Sequence, residues 1–418
     1  MELTSASLPG VALTLIHTGR APTRSALTRQ LGVTRATVGA VTSELRDLGL
    51  ILVDPGSGPP GNGQPGDGHQ GDGQPGRGKH GRPSHRLLPD PSGPVALAAQ
   101  VHPDGFAVAL VGLGGAVVAR HAVNGPVPAD PAQALASVAA AAAALLKVSG
   151  RRCVGAAVAV PASVTRPEGA AVRALYIGWP DGTPVRDIFA AELARHGVQG
   201  PGDGLAGCDA VNDVNALALA EHRHGAGRDA THLLVVSAEH RGVGGALVQR
   251  GALYTGSGGL AMEAGHVSVD PGGRRCPCGN RGCLSVETEA ERFLDDAGRR
   301  ASPDIPVLDE AVALLRAGYP SDPRVRAAAD AIAGRLGLGL AGLINVVNPD
   351  RVLLGGMYRE LLAVAPDRLR EAVALGSPWG RGAAVPIEGC ALDDAGLIGT
   401  AEAAWQPVLD NPALLKPA

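Results

Sequence analysis

Aromatic residues are nearly absent from this chain: three Trp, four Tyr and three Phe make up 2% of 418 residues. With 45% hydrophobic residues the chain is still globular, so its core must be built from Ala, Val and Leu. Lysine occurs only at Lys79, Lys147 and Lys416, leaving arginine to supply nearly all positive charge. That bias, with the abundance of Ala, Gly and Pro, fits the coding habit of a GC-rich genome and carries no functional information. Six cysteines are too few for a disulfide scaffold of this length. The start lacks the charged region and apolar run of a signal peptide. The longest apolar stretch, Ala134–Leu146, is too short and too small in side chain to span a bilayer. These absences imply a soluble, cytoplasmic protein with no membrane partner. A net charge of −3 also excludes bulk affinity for polyanions.

What is present is unevenly distributed. Between Arg20 and Arg46 there are five arginines against one acid, Glu44, and Arg77, Lys79, Arg82 and Arg86 follow. Residues 8–54 read as a short helical module. Residues 55–83, built from imperfect Gly-Gln-Pro-Gly-Asp-Gly units, cannot bury enough surface to offset chain entropy and are expected to be disordered. From about Val95 onward, strand-like runs (Phe106–Val111, Val154–Val160, His232–Ser237, Gly244–Gln249) alternate with Ala-rich helical stretches, as in an α/β architecture. A second half begins near Leu233 and closes with a helix over 324–347 and a buried run, Arg351–Leu354. The expected domains are therefore 1–90, 91–232 and 233–418, the last two being lobes around a cleft.

The first module has helix-turn-helix spacing. Thr23 caps a helix over Arg24–Leu31, Gly32 supplies the turn, and Thr34 caps a second helix over Arg35–Leu48 with Val38, Val41, Leu45 and Leu48 on one face. Ile51–Val53 and Ser84–Leu88 pair as a wing. Thr34, Arg35 and Thr37 would enter a major groove, with Arg82 reaching DNA from the wing. The competing reading is a small helical bundle used for dimerisation.

His266, Cys276, Cys278 and Cys283 form the pattern H-x9-C-x-C-x4-C. Three thiolates and one imidazole complete a tetrahedral zinc set with no vacancy, hence a structural site. Gly279 and Gly282 let the chain wrap closely, and His266 would tie the loop to a strand-turn at Met262–Ser268. Free thiols in a loop are the plainer alternative.

Glu263-Ala-Gly-His266 followed by Cys276-Pro-Cys-Gly-Asn-Arg-Gly-Cys-Leu284 resembles the signature of the ROK family of repressors and sugar kinases. The likeness extends over about residues 95–405 and includes Val211-Asn-Asp-Val-Asn215, Gly242-Val-Gly-Gly245 and Asn348–Gly356. The helix-turn-helix and Gly81-Arg82-Pro83 match the repressor branch. The resemblance implies a winged helix-turn-helix followed by a two-lobed, actin/hexokinase-like (ribonuclease H-like) α/β domain. It implies that Asp213 matches the catalytic base of the kinases, here vestigial, and that Asn212, Glu263 and His266 match sugar contacts. The bland reading of Asp213 is a helix cap.

Three departures separate this chain from the kinases. Ala99–Gly105 replaces the Asp-x-Gly-Gly-Thr phosphate loop, and Pro103 removes an amide donor, so no ATP is expected. Ser285 stands where the pattern has glutamate, with Glu287 two residues on, and Pro161-Ala162 stands where Pro-Gly is usual. The reading that results is a DNA-binding regulator, acting as a repressor, that recognises operator DNA as a homodimer or tetramer and senses a sugar or sugar derivative. The alternatives are an active sugar kinase and a ligand-independent DNA-binding protein.

Overall fold

A computed structural model describes residues 6–54, 84–198, 207–378 and 384–415. The expected disorder of 55–83 and the expected DNA contact Arg82 lie outside the described residues. By contact the chain divides into two units, Met1–Pro94 with Pro407–Ala418, and Val95–Gln406. This division assigns the final residues to the first unit, unlike the boundaries expected from sequence.

The first unit holds α1 (Leu8–His17), α2 (Arg24–Leu31), α3 (Arg35–Asp47), β1 (Ile51–Asp54) and β2 (Arg86–Pro89). The Thr23 hydroxyl accepts from the Ala26 amide and the Thr34 hydroxyl from the Thr37 amide, so both helices start at side-chain caps. Gly32 turns the chain between them with φ +66°, a conformation that favours glycine. Leu13, Ile16, Leu27, Val38, Leu45, Leu50 and Ile51 are buried, so the apolar stripes of the three helices converge. β1 and β2 pair antiparallel from Ile51↔Pro89 to Asp54↔Arg86. β2 begins two residues later than expected because Ser84 and His85 are used elsewhere. The Ser25 amide donates to the Ser84 hydroxyl at 3.1 Å and the Arg24 amide to the His85 carbonyl at 3.0 Å. At the other end of the chain, the Ser7 amide and hydroxyl both donate to the Asp410 carbonyl at 3.1 Å.

The second unit contains two five-stranded sheets of one topology. The first comprises β3 (Val95–His102), β4 (Gly105–Gly112), β5 (Val117–Asn124), β6 (Cys153–Val160) and, after the two-residue β7 (Ser163–Val164) and β8 (Ala171–Val172), β9 (Cys208–Asn212). Its order is β5-β4-β3-β6-β9. The second comprises β10 (His232–Ala238), β11 (Gly244–Gln249), β12 (Ala252–Leu253), β13 (Arg351–Gly356) and β14 (Ile387–Gly389), in the order β12-β11-β10-β13-β14. In each, three strands meander antiparallel and two more add in parallel. This is the α/β fold of the actin and hexokinase type that the resemblance implied. β3 and β6 are buried along almost their whole length, as strands covered on both faces must be. β5 carries mostly exposed side chains at the sheet edge, which is why no alternation or apolar run marked it.

The lobes exchange helices. α4 (Pro131–Ser149) and α5 (Val185–Arg195) pack on the first sheet, whereas α6 (Asp213–His224), which follows β9, packs through Val214, Leu217 and Ala218 against Leu233, Val235 and Ala246 of the second. The helix Ala395–Asp410 returns to the first sheet, where the Trp405 indole donates to the Val111 carbonyl at 3.0 Å. Among the described residues two helices, Pro131–Ser149 and Pro323–Val347, are long and apolar enough to cross a membrane. Both line hydrophobic cores, through Leu135, Val138 and Ala142 in the first and Ile332, Leu336, Leu340 and Ile344 in the second.

In a core so poor in aromatics, Trp405 is fully buried, and truncating its side chain would open a large cavity. Trp405→Ala should cost about 3–5 kcal/mol of stability, measured as a lowered urea midpoint at unchanged slope. A loss below about 1 kcal/mol would show that the helix does not anchor the first sheet.

Candidate ligand cleft and metal cluster

A cavity of about 320 Å³ brings together all four residues expected to meet a ligand: Asn212, Asp213, Glu263 and His266. Pro161 and Ala162 form part of its wall, joined by Ser163, Arg173, Tyr176, Glu239 and Arg241. These last five carried no motif, since each is isolated in sequence and meets the others only through the fold.

Asn212 and Asp213 sit where β9 runs into α6. Asn212, not Asp213, is the cap: its side-chain oxygen accepts from the Val214 and Asn215 amides at 3.0 Å. Its amide donates to the Ala162 carbonyl at 3.1 Å and to Asp213 Oδ1 at 3.0 Å. Asp213 Oδ1 also accepts from the Val214 amide at 2.8 Å, leaving Oδ2 for a ligand. Burial, with Glu239 and Glu263 nearby, pushes the Asp213 carboxyl up to about 7. Burial also raises Glu239, whose Oε1 accepts from the Ser237 hydroxyl at 2.6 Å.

Residues 264–266 form a single 3-10 turn rather than the expected strand-turn. The cause is close packing, because a Cβ at Gly265 would collide with the Val243 carbonyl oxygen. Only glycine lets this turn lie against the Gly242–Gly245 backbone, and the turn places Glu263 and His266 at the cavity. There the Ser163 hydroxyl, from the first lobe, donates to Glu263 Oε1 at 2.7 Å.

His266 also belongs to a cluster with Cys276, Cys278 and Cys283, whose donor atoms all lie within 4.8 Å of one another. Cys276 Sγ is 3.6 Å from His266 Nδ1, and Cys278 Sγ is 3.7 Å from Cys283 Sγ. Gly282 takes φ +58°, and a Cβ there would strike the Asp270 carbonyl, so the loop can close only on glycine. This cluster could hold a metal ion, and Cys278 and Asn280 carry its loop into the cavity wall.

Ser285 does not line the cavity. It is buried, accepts from the Val243 amide at 3.1 Å and lies 3.0 Å from the Tyr176 hydroxyl, so Tyr176 occupies the wall in front of it. Glu287 does not substitute for the missing glutamate: its carboxylate accepts from the Arg274 amide and the Arg292 guanidinium, both at 2.7 Å.

A second cavity, of about 330 Å³, shares Asp213 and Glu239 with the first. Asp309, Glu360, Asp393 and Asp394 add further carboxylates to its lining, against Arg120 and Arg359. Both arginines are paired, with Asp394 at 3.3 Å and Asp393 at 3.6 Å. At its edge the His102 and His240 rings stack 3.9 Å apart. Burial, and for His102 the adjacent His240, lowers their pKa values to about 3 and about 4.

In the first unit, Thr34 and Arg35 are exposed and Thr37 is half-buried. The two threonine hydroxyls lie 2.9 Å apart and Thr34 also caps α3, so both are engaged within the turn. Arg35 forms no ion pair among the described residues.

Two like sheets around a cleft of carboxylates, beside a thiolate loop, define a class of sugar-kinase-like domains, and comparison with known proteins narrows it. The ROK family model matches residues 101–406. A glucokinase of Thermotoga maritima is 32% identical over 201 residues, covering 46% of this chain and 63% of the relative. The DNA-binding transcriptional dual regulator NagC of Escherichia coli is 31% identical over 158 residues, 37% of this chain and 39% of the relative. The matched stretches thus span less than two thirds of either relative. Among solved structures, a ROK family transcriptional regulator homologous to E. coli Mlc superposes with TM-score 0.72 at 20% identity, covering 97% of each chain. A Streptomyces griseus ROK glucokinase in complex with glucose and AMPPNP gives 0.63 at 22% identity, covering 75% of this chain and 99% of the other. The chain belongs to the ROK family.

Asp213 supplies a pH test of the cleft. Its carboxyl titrates near 4 when unfolded and at about 7 when folded, so between these values the folded state holds the extra proton. Stability therefore falls as pH rises from 4 to 7 and levels off above. Asp213→Asn should remove one proton's worth of that slope, about 1.4 kcal/mol per pH unit, in urea denaturation at stepped pH. An unchanged slope would show that Asp213 is ionised in the fold.

Proposed function

We propose that this protein is a DNA-binding transcriptional regulator, a repressor in its ROK branch, whose cleft senses a sugar or sugar derivative. The observation that carries the reading is the exposed first turn of α3, where Arg35 is free of ion pairs among the described residues and preceded by a tight glycine turn. Such a turn fits a major groove, with Arg35 on a guanine edge or a phosphate. Since Thr34 and Thr37 are occupied with one another, their part is to fix the turn and offer oxygens and methyls at its surface. Operator recognition by a homodimer or tetramer, one α3 per half-site, follows from the two-fold logic of such motifs. A cytoplasmic location suits this role.

The cysteine cluster is read as a structural zinc site. A tetrahedron with Zn–S bonds of about 2.3 Å has edges of about 3.8 Å, close to the 3.6 and 3.7 Å separations present. With His266 Nδ1 committed to the ion, its other nitrogen is left for a sugar hydroxyl, alongside Glu263, Asp213 and Asn212. Zinc would thus fix the turn that carries two sugar contacts.

The absence of kinase activity is supported by the second cavity, where carboxylates outnumber two already-paired arginines and would repel a polyphosphate. One observation favours the kinase reading: Asp213 has a pKa of about 7 and an oxygen free for a hydroxyl, as a general base requires. An ADP-release assay across hexoses separates the readings, since turnover lost in Asp213→Asn would establish a kinase.

Genome-wide mapping of bound DNA supplies the operator. On that operator, Arg35→Ala should weaken binding by about 1–3 kcal/mol, some 5- to 150-fold, with the sugar response retained. An unchanged affinity would remove α3 from the interface. Cys278→Ser should lower zinc content by one ion per chain, measured by elemental analysis, and abolish sugar-induced thermal stabilisation. Retained zinc with retained sugar response would separate the cluster from the sensor.

A further inference from the structure

The second cavity contains a group that the regulatory reading leaves unused. His102 ends β3, Asp104 lies in the tight β3–β4 turn, and His240 follows β10, so the group joins the two sheets of the second unit. One donor atom from each residue lies within 4.8 Å of the donor atoms of the other two. The imidazoles stack with planes 3° from parallel. His102 Nδ1 and Asp104 Oδ2 are buried, yet neither has a hydrogen-bond partner among the described residues. Leaving two such atoms unsatisfied is unfavourable, and an ion or a water bound between them is a standard explanation of the pattern.

We propose that His102, Asp104 and His240 form a second metal site, separate from the cysteine cluster, for a divalent first-row transition ion. Two imidazoles and a carboxylate are borderline donors, suited to Ni2+, Co2+, Zn2+ or Fe2+ rather than to the all-oxygen sets of Mg2+ and Ca2+. Three protein ligands leave coordination positions open toward the cavity, which His102 and His240 line. The site occupies the hairpin from which the phosphate loop has been lost, and Pro103 and Asp104 make the turn that aims the carboxylate. Bonds of about 2.1 Å to both imidazoles require the stacked rings to splay, so loading shifts the His240 loop against β3. The ion would cross-link the two lobes, since His102 and Asp104 belong to the first sheet's hairpin and His240 follows β10 of the second.

The test uses the full-length protein with its cysteine cluster zinc-loaded, equilibrated with Ni2+ and separated from free ion. Elemental analysis should give one Ni2+ per chain in addition to zinc. X-ray absorption at the nickel edge should show nitrogen and oxygen neighbours without sulfur. His240→Ala and His102→Ala should each weaken Ni2+ binding by more than the roughly 10- to 100-fold typical of losing an outer-shell partner, with zinc content unchanged. Asp104→Asn changes one turn atom that has no partner, so it should fold normally and weaken binding as well. It serves if either histidine variant fails to fold. Sulfur in the nickel shell, Ni2+ binding undiminished in Asp104→Asn, or no Ni2+ retained by the wild type would each overturn the site.

Discussion

The arrangement of the cleft depends on one backbone approach, the 3-10 turn at Ala264–His266 lying against the Val243 carbonyl with Gly265 between them. A side chain at that position would push the turn outward, and two things would be lost together. Glu263 would leave the Ser163 hydroxyl across the cleft, and His266 would withdraw from Cys276. Main-chain contacts of this kind tolerate no relaxation by rotamer change, unlike most core packing. The cleft is therefore sensitive to the Gly242–Gly245 segment, although the three glycines there contribute no functional group.

Against that rigid wall stands an electrostatic cost. Asp213 and Glu239 are buried near each other and near Glu263. Burial disfavours the charged form of each, with like charges adding to the effect at Asp213, and both carboxyl pKa values are raised. A protonated carboxyl both donates and accepts, and such groups suit a polyhydroxylated ligand. Asp213 and Glu239 also line the second cavity. One pair of buried acids thereby borders both cavities.

Sequence showed most of this where chemistry is compressed into short motifs. The three cysteines and His266 were legible because metal ligation needs fixed residue types at short spacing, and the threonine caps of α2 and α3 because capping is a local interaction. Strands with apolar runs were legible for the same reason, while exposed β5 was not. The cavity residues Ser163, Tyr176, Glu239 and Arg241 were illegible because each is defined by a partner more than forty residues away or by burial alone. The Asp213 cap reading failed more narrowly. Both Asn212 and Asp213 suit an N-cap, and only the actual φ and ψ of Asn212, −70° and 142°, assign the role.

The loss of the phosphate loop then takes on a structural meaning. Glycines and a hydroxyl that would cradle phosphate are replaced by a tight Pro103-Asp104 turn, ending a strand whose last residue is His102. The change removes amide donors, yet it also brings a carboxylate and an imidazole to the rim where the second lobe presents His240. In the proposed sensor a sugar alone would contact a limited part of the cleft, so a further contact between the lobes would set how they close. Groups contributed by both sheets at the vacated rim are placed to do that. With the proposed metal site, the departure from the kinases would exchange one inter-lobe ligand for another on the same short hairpin.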